Sequence, residues 1–224
     1  MAQIDYIDKD IAYFSKPRLD LVSLLPKNPN QKILEIGAGG GDTLVEIKKR
    51  GLAQEVVGVE LMKLVNSNQQ NVLIDKMIIA NLDNEKPDLP NEYFDIILAG
   101  DVLEHLVDPW GVVETISGYL KKGGLLIVSL PNIQEIQTLY KVFILGDFAY
   151  NPEGGILDKT HIRFFTKKNI KNLFTTKDLK VQQLIHGFEI QLGGKSKRAL
   201  ANKLTLGLLS DFWAVQYLVI AQKI

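Results

Sequence analysis

A glycine-rich stretch follows the first apolar run of the chain and is the first candidate for binding chemistry. Residues 35–41 are Glu-Ile-Gly-Ala-Gly-Gly-Gly, and glycines at such a position let the backbone approach a ligand closely. The dinucleotide fingerprint G-x-G-x-x-G fails, because counting from Gly37 places Asp42 where the third glycine belongs. Glu35 and Asp42 flank the loop and favour a cation over a phosphate. The loop therefore predicts a site for a cationic ligand, and the alternative is a turn that only packs tightly.

A second carboxylate stands at the end of the next apolar run. Glu60 lies 19 positions after Gly41, and a carboxylate at such a strand end can accept both hydroxyls of a ribose. Together with Glu35 it brackets a site suited to an adenosyl ligand. Residues 193–196, Gly-Gly-Lys-Ser, look like the end of a phosphate loop, but Glu189 stands where the leading glycine is required. We therefore reject a phosphate loop at that position.

The three histidines are the candidates for proton transfer at neutral pH. His105 follows an apolar run at the expected edge of a sheet, where it serves as a catalytic base or only shapes the pocket. His161 lies in residues 158–166, whose aromatic and basic side chains suit a sugar or another ring, and the alternative is that it pins a loop. We predict His105 and His161 as catalytic residues and His186 as structural.

A metal site is the other chemistry that this region suggests. Asp101, Glu104 and His105 stand close together, and carboxylates with an imidazole suit a divalent ion. Three residues so close in sequence more often accept hydrogen bonds from nearby backbone donors. The sequence prediction is therefore that no metal is bound.

Apolar runs that alternate with amphipathic ones must position these residues. From Lys32 onward this pattern is typical of β-α units around a parallel sheet buried on both faces. The predicted strands are residues 32–36, 56–60, 77–80, 94–99, 125–130, 180–186 and 216–222. The predicted helices are residues 11–25, 43–50, 62–68, 109–120 and 167–175, and Asp108 before Pro109 marks one helix start. We expect one doubly wound α/β domain over residues 1–224, with a helical cap at 1–30 and a lid segment at 131–166.

Composition narrows the function classes. The chain has 224 residues with 26 basic and 26 acidic side chains, so no long-range field attracts nucleic acid. It has no cysteine, no apolar run long enough for a membrane span and no signal-peptide pattern, and we expect a cytoplasmic protein. Residues 199–209 carry apolar side chains on much of their surface. Packing onto the domain is the favoured interpretation, with a membrane, a partner or the substrate as alternatives.

Four motifs in order make the chain resemble the class I S-adenosylmethionine (SAM)-dependent methyltransferases. The family signature E-x-G-x-G-x-G is matched within residues 35–41, and Glu60 stands at the acidic end of strand two. Residues 94–106 resemble the fourth family motif, with Leu103-Glu104-His105 near its end. The pair Asp108-Pro109 and residues 120–124, Leu-Lys-Lys-Gly-Gly, then follow. The resemblance implies a seven-stranded sheet of order 3-2-1-4-5-7-6 whose last strand is antiparallel.

The same resemblance implies SAM as the cofactor and assigns it a set of residues. The glycine loop would hold the methionine part, Glu60 the ribose, and Asn81 with Leu82 the adenine, although most relatives have aspartate at the position of Asn81. Arg18 would pair with the cofactor carboxylate, and the alternative is an arginine on a solvated helix face. The predicted cofactor-binding residues are Arg18, Glu35, Gly37, Ala38, Gly39, Gly41, Glu60, Leu61, Asn81, Leu82, Asp101 and Val102.

The resemblance also suggests the kind of reaction. Residues 158–166 resemble the acceptor-side lid of bacterial methyltransferases that accompany cell-surface saccharide genes. We expect methyl transfer to a small-molecule acceptor, with an oxygen of a sugar or a related metabolite as the suggested target. The alternatives are a protein or RNA methyltransferase, which the neutral charge disfavours, and a SAM-binding module without catalysis. A nicotinamide oxidoreductase is disfavoured by the missing third glycine.

Overall fold

A seven-stranded sheet forms the centre of the computed structural model, which describes residues 15–190 and 196–224. The strands run in the order β3-β2-β1-β4-β5-β7-β6, and β7 is antiparallel to both of its neighbours. The predicted order and the antiparallel last strand are confirmed. The strands are β1 Lys32–Ile36, β2 Glu55–Glu60, β3 Lys76–Ile79, β4 Phe94–Gly100, β5 Leu120–Pro131, β6 Leu179–His186 and β7 Gln216–Lys223.

Helices cover both faces of this sheet. They are α1 Leu19–Val22, α2 Asp42–Lys49, α3 Pro109–Tyr119, α4 Ile136–Leu139, α5 Lys167–Leu173, α6 Gly187–Ile190, α7 Lys197–Leu204 and α8 Ser210–Trp213. Successive residues of one strand enter different cores: Ile33 and Ile96 pack with α1 and α2, whereas Leu34 and Ile97 pack with α3 and α5. This alternation follows from the period of two in a strand, and it explains why the strands are apolar throughout.

The start of α3 follows the prediction from sequence. The Asp108 carboxylate accepts a hydrogen bond from the Gly111 N–H at 3.0 Å, and Pro109 occupies the first helical position. The helix ends at Tyr119, and Leu120 is already extended, so β5 begins five residues before the predicted strand. Gly123 adopts a left-handed φ of 78° inside this extension.

The helix predicted over residues 62–68 is wrong. The structure has turns there, followed by a single helical turn at Asn68–Gln70. The Gln69 side chain accepts from the Leu64 N–H at 2.9 Å and donates to the carbonyls of Met62 and Gly39. These bonds satisfy backbone groups that a helix would otherwise pair, so the loop has no need of helical hydrogen bonds.

The predicted N-terminal helix is shorter than expected in its described part. Of residues 11–25, those from 11 to 14 lie outside the described residues, and helix is present only at Leu19–Val22. Pro17 disfavours helical geometry at Lys16 and so delays the helix start. Leu21 and Val22 are buried against α2 and the sheet, which positions the segment before them at the edge of β4 and β5.

The lid segment contains further helix. In it, α4 continues into a π-helical turn at Tyr140–Ile144, and Asn132 pairs with Phe165 across the segment.

Residues 199–209 do not pack fully onto the domain, although packing was the favoured interpretation. Ala199 contacts the core, but Leu204 and Leu206 are 77% and 86% exposed. Among the described residues, no helix is long and apolar enough to cross a membrane.

Candidate cofactor and acceptor site

A cavity of about 300 Å³ lies at the carboxyl ends of β1, β2 and β4. This is the edge where neighbouring parallel strands β1 and β4 lead into connections on opposite sides, the usual ligand position in open α/β sheets. All of the predicted cofactor residues except Gly41 line it, and so does His105. Sequence reasoning missed seven lining residues, which are Lys16, Thr43, Val59, Ala80, Asp83, Gly100 and Leu106.

The glycine loop forms one wall of the cavity and depends on conformations that favour glycine. Gly37, Gly39 and Gly41 have φ values of 66°, 52° and 86°. A Cβ on Gly37 would lie 2.3 Å from Cγ2 of Val102, so that position accepts no side chain. A Cβ on Gly41 would lie 2.7 Å from Ile74, away from the cavity. Gly41 therefore serves the turn that starts α2, while Gly37 allows the close approach of Val102 in the cavity wall.

Glu60 ends β2 with both carboxylate oxygens pointed at the loop backbone. Its Oε2 accepts from the Gly39 N–H and its Oε1 from the Leu61 N–H, each at 2.7 Å. Burial raises the pKa of this carboxyl, and the backbone donors of Gly39, Leu61 and Met62 oppose that shift. Each oxygen retains a second lone pair, so the carboxylate can still accept from a diol in the cavity.

Glu35 is a buried acid on the floor of the same cavity. Burial raises its pKa to about 8, and the neighbouring carboxylates of Glu60 and Asp42 act in the same direction. Its Oε2 has no hydrogen-bond partner among the described residues. A cation bound in the cavity would therefore be attracted to Glu35 and would favour its ionised form.

Arg18 faces the cavity from the segment before α1. Its guanidinium donates to Asp101 at 2.8 Å, to Ser129 at 2.9 Å and to both oxygens of Asp20. Burial alone would lower the pKa of Arg18, but Asp101 and Asp20 reverse the effect and keep it fully charged. Arg18 is thus part of an ion-pair network on the cavity wall and not an arginine on a solvated helix face.

The adenine side of the predicted site follows β3. Asn81 accepts from the Asp83 N–H at 3.0 Å through its carbonyl oxygen, and Asp83 accepts from the Val107 N–H at 2.8 Å. Val59, Ala80 and Gly100 lie in or directly after strands beside predicted site residues, so the strand pattern contained a signal for them. Lys16 had no such signal, because its place depends on how its segment crosses the sheet.

His105, which lines the cavity, packs against His161, which does not line it. Their ring centroids are 4.6 Å apart at an interplanar angle of 71°. His105 Nδ1 lies 3.2 Å from the Thr160 carbonyl oxygen, and burial together with His161 lowers the pKa of His105 to about 4. His161 is buried, with Nδ1 2.9 Å from the Ile156 carbonyl oxygen. His105 is therefore neutral at pH 7, and it is the histidine that reaches the cavity.

Glu104 explains how the lid segment is attached beside His105. Its carbonyl oxygen accepts from the N–H groups of Ile162 and Arg163, each at 3.0 Å. The Arg163 guanidinium donates to the Val107 carbonyl and strengthens the same contact. The Glu104 side chain is fully buried, and burial raises its pKa well above the usual range.

Two expectations for this region need correction. The Glu104 carboxylate accepts no hydrogen bond from the described residues, although we expected local backbone donors to satisfy it. The alternative metal group of Asp101, Glu104 and His105 does not converge either, because Arg18 and Ser129 bind the two oxygens of Asp101. His186 lies apart from the cavity and contacts Glu189 and Asp211.

Comparison with known proteins places this geometry among methyl-transferring enzymes. A family model described as a methyltransferase domain matches residues 7–184. The chain is similar to the ubiquinone biosynthesis O-methyltransferase of Glaesserella parasuis, with 27% identity over 52% of this chain and 51% of that protein. The protein of the same name from Cereibacter sphaeroides is 31% identical over 58% of this chain and 52% of its own length. The chain spans about half the length of these curated relatives.

Solved structures agree with the topology. An S-adenosylmethionine-dependent methyltransferase from Mesorhizobium loti has a TM-score of 0.65 at 16% identity, over 96% of this chain and 99% of that chain. A SAM-dependent methyltransferase from Aquifex aeolicus has a TM-score of 0.61 at 13% identity, over 96% of this chain and 97% of that chain. At these identities the likeness concerns the fold.

Proposed function

The chain belongs to the methyltransferase domain family and depends on SAM, and on that premise we propose that it methylates a hydroxyl oxygen of a small, ring-containing acceptor. One observation carries the proposal: His105 lines the same cavity as the predicted cofactor residues. A group able to handle a hydroxyl proton therefore stands within reach of the cofactor. The relatives named as ubiquinone biosynthesis O-methyltransferases support the choice of oxygen.

The cofactor fits the residues of the cavity. Bound SAM supplies a methyl group on a positively charged sulfur. Glu35, buried and with one oxygen lacking a partner, provides negative charge near a cationic ligand, while Glu60 offers its remaining lone pairs to the ribose hydroxyls. Gly37 lets Val102, another cavity-lining residue, pack directly against the glycine loop, since a Cβ on Gly37 would lie 2.3 Å from Val102 Cγ2. Lys16 offers positive charge for a carboxylate, whereas the Arg18 guanidinium is already paired with Asp20 and Asp101.

The acceptor side belongs to His105, His161 and the lid segment. Because a carbonyl oxygen can only accept, His105 Nδ1 carries a proton toward Thr160, and Nε2 is the nitrogen with the lone pair. We propose that this nitrogen contacts the acceptor hydroxyl and that His161 fixes the His105 ring. The chain contributes alignment and exclusion of water, which are the main requirements of an in-line displacement.

Aromatic residues of the lid segment support a ring-containing acceptor. The Phe148 ring contacts those of Tyr150 and Phe164 at centroid distances of 5.5 and 5.6 Å. Phe148 and Tyr150 are also 42% and 51% exposed, so their faces are available for stacking. A phenolic ring and a sugar both fit this description, since each offers an apolar face and hydroxyl groups at its edge.

The test has two stages. Calorimetric titration with SAM, S-adenosylhomocysteine and NAD should give binding for the first two ligands only. Transfer of a labelled methyl group is then measured with catechols, monosaccharides, a protein mixture and RNA. Product on a catechol or a sugar supports the proposal and identifies the ring class. Transfer only to protein or RNA contradicts it, and cofactor binding without transfer to any of the four would indicate a non-catalytic module.

A further inference from the structure

Three side chains beside the cavity bring two nitrogens and a carboxylate together. One ligand atom each from Glu104, His105 and His161 lies within 4.8 Å of the other two. His161 Nε2 is 3.9 Å from Glu104 Oε1, too long for a direct hydrogen bond. Two of these residues follow β4, and the third comes from the lid segment 56 positions later than His105. The fold therefore assembles a group that no local motif contains.

The backbone orients both imidazoles for ligand binding. Carbonyl oxygens of Thr160 and Ile156 lie 3.2 and 2.9 Å from Nδ1 of His105 and His161, respectively. Both Nδ1 atoms must therefore carry the proton, which leaves Nε2 of each ring as the nitrogen with a lone pair. Hydrogen bonds of this kind from the remote nitrogen to a carbonyl are the usual outer support of histidine ligands in metal sites.

Glu104 supplies the observation that points to a ligand. Its side chain is fully buried, and neither carboxylate oxygen accepts a hydrogen bond from the described residues. A buried carboxylate without a partner is costly, and coordination of a metal is one of the few ways to compensate it. The Glu104 carbonyl accepts from the N–H groups of Ile162 and Arg163, so the backbone at Glu104 is fixed against the lid segment.

We propose that Glu104, His105 and His161 bind a divalent transition-metal ion at the acceptor end of the cavity. Two imidazoles and one carboxylate suit Zn²⁺, Fe²⁺, Mn²⁺ or Co²⁺ and leave coordination positions open for another ligand. This set differs from the one that the sequence suggested, since His161 replaces Asp101, whose oxygens are bound by Arg18 and Ser129.

If the proposed function holds, the ion would activate the acceptor hydroxyl. Because His105 lines the cavity, an open position of the ion is within reach of an acceptor hydroxyl. Coordination lowers the pKa of a bound hydroxyl, so that its O–H bond breaks, the proton passes to water and the oxygen keeps the electron pair. His105 and His161 would then hold the ion, which takes the place of His105 Nε2 as the group in contact with the acceptor hydroxyl, and neither imidazole would accept the proton.

The experiment uses the full chain, stripped with a chelator and dialysed, without SAM or acceptor. Co²⁺ is titrated while its visible absorption is recorded, and bound metal is counted by mass spectrometry. We expect one equivalent with the absorption of a nitrogen- and oxygen-ligated ion. The isosteric variant Glu104→Gln and the variant His161→Ala should each weaken Co²⁺ binding by about 100-fold or more. His186→Ala, which removes the histidine outside the site, should bind Co²⁺ as the wild type does.

Two controls separate this inference from the proposed function. Circular dichroism of Glu104→Gln checks that the variant is folded, and SAM titration checks that it keeps its cofactor site. Absence of saturable Co²⁺ binding to the wild type would overturn the metal site. Wild-type Co²⁺ affinity in both Glu104→Gln and His161→Ala would also overturn it. Stoichiometric binding together with failure of methyl transfer to every acceptor upholds the site and refutes the proposed function. Undiminished transfer after chelation refutes the catalytic role of the ion.

Discussion

Arg18 and Asp101 are joined on one wall of the cavity, where the guanidinium donates to Asp101 Oδ2 at 2.8 Å although 83 residues separate the two. Ser129 completes the link, because its hydroxyl donates to Asp101 Oδ1 at 2.6 Å and accepts from Arg18 at 2.9 Å. Asp101 has a positive φ of 55°, a conformation that such bonds help to hold. The contact fastens the segment before α1 to the ends of β4 and β5.

Removal of this arginine should destabilise the fold. In Arg18→Ala the carboxylates of Asp20 and Asp101 lose their partner, and the side chain of Asp20 is only 15% exposed. We expect a loss of roughly 1–3 kcal/mol in the free energy of unfolding, below the cost for a fully buried pair. Urea denaturation measures it. Arg50→Ala, which removes an exposed pair with Glu46, is the control and should cost under about 0.5 kcal/mol.

The glycine loop can be tested with a matched pair of alanine substitutions. Gly37 and Gly51 have φ values of 66° and 64°, so alanine imposes the same backbone strain at both, roughly 1–2 kcal/mol. Only at Gly37 does the new Cβ meet another atom, because nothing lies within 4 Å at Gly51. We expect Gly37→Ala to weaken SAM binding more than about 100-fold, or by about 2.7 kcal/mol, in calorimetric titration. Equal affinities of the two variants would refute the assignment of this loop to the cofactor.

Glu35 should make stability depend on pH in the absence of SAM. Its carboxyl has a pKa of about 8 in the folded protein and an ordinary value of 4.5. Between these values the folded state binds more protons than the unfolded state, so stability falls as pH rises toward 8. The slope from this group is at most about 1.4 kcal/mol per pH unit.

The variant Glu35→Gln isolates this effect because it cannot ionise. Urea denaturation of both proteins at pH 6 and pH 8, with a chelator present, should show wild-type stability falling relative to the variant. The contribution of the protonated acid is complete below pH 4.5 and is lost as pH rises through about 8. Parallel pH profiles of the two proteins would contradict a buried, protonated Glu35.

Substitution of His105 should lower turnover and leave cofactor binding nearly unchanged. The His105 ring lines the cavity on the proposed acceptor side, so His105→Ala should leave the Kd for SAM within about threefold of wild type. Turnover on a genuine acceptor should fall by about 100-fold or more, the usual contribution of a group that activates a hydroxyl. Steady-state kinetics with saturating SAM measures it, and His186→Ala is the control. A wild-type rate in His105→Ala would remove this residue from the mechanism.

Much of the fold follows from interactions between residues near one another in the chain. The seven apolar runs predicted the strand ends to within one residue except at the start of β5, because both faces of a parallel sheet are buried and its strands are apolar on both sides. Asp108 and Pro109 marked a helix start through contacts of three residues or fewer. The loop at residues 35–41 was identifiable because glycine adopts positive φ values at no steric cost.

Local patterns failed where a distant partner decides the structure. An amphipathic pattern suggested a helix at residues 62–68. In the structure the Gln69 side chain instead donates to the Gly39 carbonyl and accepts from the Leu64 N–H. For Arg18 the sequence left two interpretations open, a partner of the cofactor carboxylate and an arginine on a solvated helix face. Its ion pair with Asp101 forms only in the folded protein.

The sequence alone determined the strands, the glycine loop and one helix start, since hydrophobic period, glycine conformation and helix capping act over a few residues. Only the tertiary structure decided that Arg18 pairs with Asp101 and that His161 lies beside Glu104 and His105. Side chains 50 or more positions apart meet according to how segments cross the sheet, and no spacing along the chain encodes that crossing. The chemistry of the acceptor side therefore depends on contacts that form only after the sheet is assembled.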